Sequence, residues 1–403
     1  MSGNFDVIVV GLGAMGSAAI YQLAKRGARV LGIDQFAPPH QFGSTHGDTR
    51  VTRQAVGEGP AFVPLVLRSY ELWREIEQAT GKDLLTITGG LILAGADSRS
   101  VPPYRPDFFR RTIQVAEAHG IPHEQLNPAA IAQRFPQFHL AGQEAGYYEP
   151  GAGFLRPERC VEAQLRLAEH YGAQIHRNER VLGYGADTAG RSVTVHTDAG
   201  SYVAQTLVLA AGPWIGNLLE QEYAAPFRVY RQVMYWFAVR GSIEPFLPGN
   251  FPVFIWHFGD GSGEYIYGFP AIDGPDGSVK VATAQFHTTT TPDSVDRDVP
   301  DEEIRRMYDS HVAGYLPGLA SRCLKSRVCL YTVTADEGFV IDRHPRHANV
   351  LVASPCSGHG FKHSAAIGEV LAQLALDGQS KIDVSAFSFA RLLGRTPSRR
   401  QPR

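Results

Sequence analysis

The sequence predicts an α/β protein. A Rossmann-type nucleotide-binding domain is made from both ends of the chain, and an α+β domain on a mostly antiparallel sheet is inserted between its pieces. Three observations predict this. The chain opens with strand, glycine turn, helix and strand. Its middle is a series of short alternating strands between Gly, Pro and Asp turns. It closes with strand, glycine turn and helix.

In order along the chain, Asp6–Val10 is a β-branched run of the buried parallel type, and Ala14–Arg26 follows with helical spacing. Gly27 suits the helix stop, and Arg29–Asp34 is the next strand, which completes a βαβ unit. Ser192–Asp198 and Tyr202–Ala211 alternate like a hairpin. Tyr230–Arg240, Gly263–Pro270 and Ser278–Phe286 are strand-like and form the antiparallel part. Val350–Ala353 leads through a glycine turn into a helix from about Ser364 to Asp377, closed by Gly378.

A chain of 403 residues exceeds what one core usually serves, so two joined domains are expected. With 44% apolar and 19% charged residues it has the composition of an ordinary globular protein. A net charge of −2 provides no basic field for nucleic acid or an anionic membrane. No apolar run reaches the roughly 18–20 residues of a membrane helix, and strand-like sequence begins at Phe5, where a signal peptide would stand. The cysteines at 160, 323, 329 and 356 form no closely spaced metal pair, and a chain this long needs no disulfide staples. The expectation is a cytoplasmic protein with free thiols and no metal.

Gly11-Leu12-Gly13-Ala14-Met15-Gly16 fits G-x-G-x-x-G after a strand and at the start of a helix, with Asp34 18 residues beyond Gly16. Gly11 permits the tight turn, Gly13 lets backbone approach a pyrophosphate, and Gly16 lets helix and strand pack closely. The helix N-terminus offers free N–H groups to phosphate, and Asp34 would accept from a ribose hydroxyl. The fingerprint does not separate NAD from FAD. The strand Leu207–Gly212, ending in Ala211 and Gly212, suits a close approach beneath a nucleotide.

Three further segments carry a resemblance: Gly43-Ser44-Thr45-His46-Gly47-Asp48-Thr49-Arg50-Val51-Thr52-Arg53, Cys329-Leu330-Tyr331-Thr332, and Ser357-Gly358-His359-Gly360-Phe361-Lys362. With the fingerprint they resemble the monomeric sarcosine oxidase and N-methyltryptophan oxidase family, in order from about Phe5 to about Phe389. The resemblance implies an FAD-binding domain of residues 1–83, 146–223 and 326–389. It implies a substrate domain of 84–145 and 224–325, with 390–403 a flexible tail. Cys329 then matches the cysteine bonded by a thioether to the flavin 8α-methyl; taken alone it is a buried thiol. His46 and Arg50 match residues beside the flavin ring, where positive charge would stabilise anionic flavin; alternatively Arg50 pairs with Asp48 or Glu58. Arg53 and Lys362 match the pair that binds the substrate carboxylate, two cations that need an anionic partner. Gly358, His359, Gly360 and Phe361 would face the flavin, as would Ser44 and Val181. Lys280 matches the lysine near flavin N5 that assists oxygen; otherwise it is a surface lysine on an edge strand. Tyr267 and Tyr331 match cavity tyrosines.

The chain departs from the pattern of the family it resembles at two positions. Thr45 stands where a histidine is frequent, and Ala284 stands where a substrate-facing histidine follows the lysine by four residues. Strand parity puts His287 on the opposite face unless a bulge intervenes. The resemblance implies oxidation of a small amino acid bearing a secondary amine and a carboxylate. Flavin would receive a hydride equivalent, the imine would hydrolyse, and O₂ would be reduced to hydrogen peroxide by a monomer. Sarcosine and a bulkier or cyclic imino acid, pipecolate- or proline-like, both stay open. So do a dehydrogenase using another acceptor and a flavin-bearing protein without turnover. An NAD-dependent dehydrogenase leaves the later motifs unexplained.

Overall fold

The computed structural model describes residues 5–95, 108–187, 190–258 and 264–393. Five parallel strands form the centre of an eight-stranded sheet, in the order His347–Ser354, Ser201–Leu209, Phe5–Val10, Val30–Asp34 and Gln174–Arg177. Both faces of this sheet are covered, which is why its strands read as apolar runs. Alternation sends Val7 and Val9 to one core, with the helices Ala14–Lys25, Pro157–His170 and Ser364–Leu376. Ile8 and Val10 point to the opposite core, with Val193, Val195 and Phe389. The sheet thus draws on the beginning, middle and end of the chain.

The second sheet has nine strands and is antiparallel except where Gly90–Ala94 runs beside Val253–His257. Its longest member, Leu319–Val333, pairs along Arg228–Val239, which pairs in turn with Ser278–Thr283. Register sets Lys280, Trp236 and Lys325 side by side across three strands, and Cys329 beside Gln232. The domain boundaries need correcting here. Leu319–Val333 passes unbroken through the expected boundary at 325/326, and Ala145–Glu149, expected mostly in the nucleotide domain, belongs to the nine-stranded sheet. A strand is committed to one sheet by its hydrogen-bond partners, and a linear reading does not supply them.

Smaller differences follow the same reason. The strand expected over 263–270 runs Tyr265–Phe269, with residue 263 outside the described residues. The strand expected over Ser278–Phe286 stops at Thr283. The tail expected from residue 390 is anchored further: Leu392 is buried, and Arg391 Nε lies 2.7 Å from Asp336 Oδ2. A three-stranded sheet of Arg50–Thr52, Gly153–Leu155 and Leu85–Ile87 joins the region between the two large sheets. Among the described residues no helix is long and apolar enough to cross a membrane.

Candidate active site

The glycine turn forms as its spacing predicts. Gly11 has φ +85°, and a Cβ on Gly16 would stand 1.7 Å from the Gly11 carbonyl oxygen, so helix and turn touch through bare backbone. Asp34 closes the turn. Its Oδ2 accepts from Leu12 N at 2.7 Å and its Oδ1 from Phe36 N at 2.9 Å. Burial raises the Asp34 carboxyl, and the two backbone donors oppose that rise.

From this turn a cavity of about 1560 Å³ opens between the two large sheets. That exceeds the few hundred to about 1,000 Å³ typical of a single small-molecule pocket. Gly11, Gly13, Ala14, Met15, Asp34, Ser44, Arg50, Val181, Ala211 and Gly212 line it toward the nucleotide domain. Gly358, His359, Gly360, Phe361 and Lys362 line it from the last glycine turn. Arg53, Tyr267 and Tyr331 also border it. Segments far apart in the chain therefore meet on one surface. Four expected residues do not border it: Gly16, His46, Lys280 and Cys329.

Those last three pack just behind Arg50. Cys329 Sγ lies 3.7 Å from Arg50 Nη2, which also donates to the Ser44 carbonyl at 2.7 Å. Burial pushes the Cys329 thiol up, and the Arg50 charge pulls it back. His46 is buried with neither ring nitrogen hydrogen-bonded. Burial and the nearby Arg50 hold its pKa down to about 3, so the imidazole is neutral. The expected pair of positive charges at His46 and Arg50 is thus a single charge. Lys280 is 2% exposed, and its Nζ donates to the Gly47 and Thr49 carbonyls at 2.8 and 2.7 Å, with the Phe269 ring 4.1 Å away. It is not the surface lysine of the alternative reading. Burial, then Arg50, lowers its pKa well below the usual lysine range. The turn it grips has Asp48 at φ +68° and is fixed from the far side by Glu158, which accepts from Gly47 N and Asp48 N. Asp48 pairs with Lys325 at 2.6 Å, so Arg50 is not its partner.

At the other end of the cavity Arg53 and Lys362 are buried, 5% and 4% exposed, but they do not wait for an external anion. Arg53 Nη2 lies 2.7 Å from Glu58 Oε2, Arg53 Nη1 donates to the Ala55 carbonyl, and Lys362 Nζ is 3.9 Å from Glu58 Oε1. Sequence reasoning had Glu58 only as an alternative partner of Arg50, because charge type is visible in a sequence and side-chain direction is not. Glu149, also missed, accepts from Gln54 N and Ala55 N and fixes the backbone beside Arg53. Tyr267 and Tyr331 hydroxyls are 3.2 Å apart. Burial pushes Tyr267 up to about 12 and Tyr331 well above its usual value, so both stay neutral phenols. Phe108, Ile255, His257 and Tyr265 add walls that no motif signalled.

Ala284 lines the cavity, and so does His287, contrary to its expected parity. Alternation lapses because the strand ends at Thr283. Beyond it Gln285 forms a turn: its backbone exchanges bonds with the Gln232 amide, and its Oε1 accepts from His287 N and Thr288 N.

The last glycine turn has Ser357 at φ +47° and Gly358 at +79°. A Cβ on Gly358 would come 2.8 Å from the Tyr331 ring, so glycine is needed for direction and for room. Lys362 Nζ donates to the His359 carbonyl at 2.8 Å, which curls its side chain back on this turn.

The lining fits a dinucleotide. The hydroxyls of Ser44 and Thr49, two lining residues, are buried without a hydrogen-bond partner. Such atoms are costly unless a polar ligand meets them. A family model described as FAD dependent oxidoreductase matches residues 6–374. A monomeric sarcosine oxidase of Streptomyces avermitilis is 43% identical, over 97% of this chain and 99% of its own length. An N-methyl-L-tryptophan oxidase of Yersinia pestis is 35% identical, over 96% and 99%. The solved structure of NikD, an unusual amino acid oxidase essential for nikkomycin biosynthesis, superposes with a TM-score of 0.82 at 23% identity, covering 96% of this chain and 98% of its own. At that identity the likeness speaks to the fold.

Proposed function

The chain belongs to the FAD dependent oxidoreductase family, and from that premise we propose that it oxidises small amino acids bearing a secondary amine, with oxygen as electron acceptor. One observation carries the reading: a guanidinium and an ammonium, both buried, face the same cavity as the two glycine turns. A carboxylate beside an amine is the ligand such a pair would orient.

FAD, when bound, would supply the two-electron redox chemistry, in which a hydride equivalent leaves the carbon beside the amine nitrogen and the electrons pass on to O₂ to give hydrogen peroxide. The chain's residues hold and orient the reactants. The glycine turn at 11–16 and Asp34 would hold pyrophosphate and ribose. Ser44, Val181, Ala211, Gly212 and the turn Gly358–Phe361 would frame the rest of the cofactor. Cys329 would form the thioether; Arg50, 3.7 Å from its sulfur, favours the thiolate that the bond requires. His46, kept neutral, is a packing neighbour there. Arg53 and Lys362 would take the substrate carboxylate in exchange for Glu58. Tyr267 and Tyr331, as neutral phenols, would line the amine's approach. Lys280 would act on oxygen from behind the Gly47–Thr49 turn, its Nζ held by two carbonyls. The reactive amine is the unprotonated form, so the rate should rise with pH.

The name of the 43% identical relative favours sarcosine as substrate. Ala284 on the cavity wall leaves room for a larger N-substituent or ring. A monomer is the assembly we propose, and four cysteines outside any disulfide suit a reducing cytoplasm. The test is a peroxide assay across sarcosine, N-methyl amino acids, pipecolate and proline. Peroxide formation at equal rates from amines with and without a carboxylate would defeat the reading.

A further inference from the structure

We propose that Glu220, His344 and His347 form a binding site for a divalent transition-metal ion of the zinc class, away from the residues assigned to the reaction. One ligand atom from each lies within 4.8 Å of the other two. His344 ends the strand Val340–His344, His347 begins the strand His347–Ser354, and Glu220 precedes the short helix Gln221–Ala224.

The contact at its centre is poorly served by hydrogen bonding. His344 Nε2 lies 2.9 Å from Glu220 Oε2, and neither of these two buried atoms has a further partner that would complete a well-formed hydrogen bond. The His344 side chain is fully buried and aimed into the cluster. His347 Nε2 lies 3.5 Å from Glu220 Oε1, and the two imidazoles stack at 4.9 Å. An ion between the three atoms would satisfy both orphaned groups. Two imidazoles and one carboxylate are the donor set of a zinc site that keeps a position for water.

The surroundings assign charge accordingly. Arg346 pairs with Glu222, which leaves Glu220 to the histidines. Ligand atoms about 2.0–2.1 Å from a tetrahedral zinc ion lie about 3.3 Å apart, so the 2.9 Å contact must open slightly and the wider separations, within 4.8 Å, must close. His347, 29% exposed at the start of its strand, has the freedom to move. Binding costs one long hydrogen bond. His344 Nδ1 accepts from Arg346 N at 3.3 Å and would instead carry the ring proton. The ion would fasten the turn between two strands to the segment just past Trp214 and Asn217, which border the cavity.

The experiment uses the full-length flavoprotein, stripped with a chelator and titrated with Zn²⁺ against a chromophoric competitor. Thermal unfolding is followed in parallel, and turnover is not used, so failure of the oxidase reading leaves the test intact. Because His344 is enclosed, the variants are His347→Ala and Glu220→Gln, each checked by circular dichroism. The expected result is one Zn²⁺ per chain with micromolar or tighter affinity and a saturable rise in melting temperature. Both variants should lose at least tenfold in affinity. No binding tighter than about 1 mM by the unsubstituted protein, or unchanged affinity in either variant, overturns the site.

Discussion

Arg53 enters the cavity with its fork already divided between the Ala55 carbonyl and Glu58. On the proposed reading a substrate carboxylate would have to replace an internal anion, and its net gain would be smaller than that of a bare bidentate pair. Arg53→Ala should still raise the KM of carboxylate substrates roughly 30- to 100-fold, about 2–3 kcal/mol. Amines without a carboxylate should be little changed, and steady-state kinetics on matched substrates checks this. For Cys329, replacement by Ala should leave flavin bound but extractable; yellow colour persisting in the acid-precipitated protein would remove it as the attachment point. His46 carries a stability prediction. Its pKa is about 3 in the fold against 6.5 in the free side chain, so the unfolded chain binds the proton more readily between those values. Stability is therefore present above about pH 6.5 and falls as pH drops toward 3. His46→Asn should lessen the loss between pH 7 and pH 5 by about 2 kcal/mol, read from denaturant unfolding at the two pH values.

At the scale of elements, three turns do the positioning. The first joins Phe5–Val10 to Ala14–Lys25, and Gly16→Ala would drive a methyl into the Gly11 carbonyl. Loss of about 3 kcal/mol or more and failure to retain flavin are expected, measured by melting temperature and by absorbance after gel filtration. The second, Gly47–Thr49, is held by Glu158 from one helix and Lys280 from a strand of the other sheet. The third, Ser357–Gly360, lies under the Tyr331 ring. The glycines of the first and third turns were legible because their spacing has a backbone reason. The clamp on the second was not legible, since Glu158 and Lys280 reach it from distant segments. Strand parity served inside Ser278–Thr283 and misled at His287, beyond the last ladder bond.

Across the whole molecule, the cavity exists because two sheets from interleaved segments face each other. Its walls mix the nucleotide-domain glycines with Phe108, Ile255, Tyr265 and Ala284 of the other domain. Ala284 lines that wall with a single methyl group, so a larger side chain there would take up cavity space. Ala284→His should lower kcat/KM for bulky or cyclic amino acids relative to sarcosine by about tenfold or more, 1–3 kcal/mol. A parallel loss for all substrates would show that the wall does not select by size.

Local backbone chemistry was readable from the chain alone: the βαβ unit, both glycine turns, the apolar parallel strands, and the residue types that resemble an oxidase family. These depend on spacing and on what glycine, β-branched and charged residues do within a few positions of each other. Tertiary structure alone decided the charge states and partners. It set Glu58 against Arg53, made His46 neutral, turned Lys280 onto two carbonyls, and carried Leu319–Val333 across the expected boundary. Burial and long-range pairing determine those outcomes, and both are properties of the packed chain, not of neighbours in sequence.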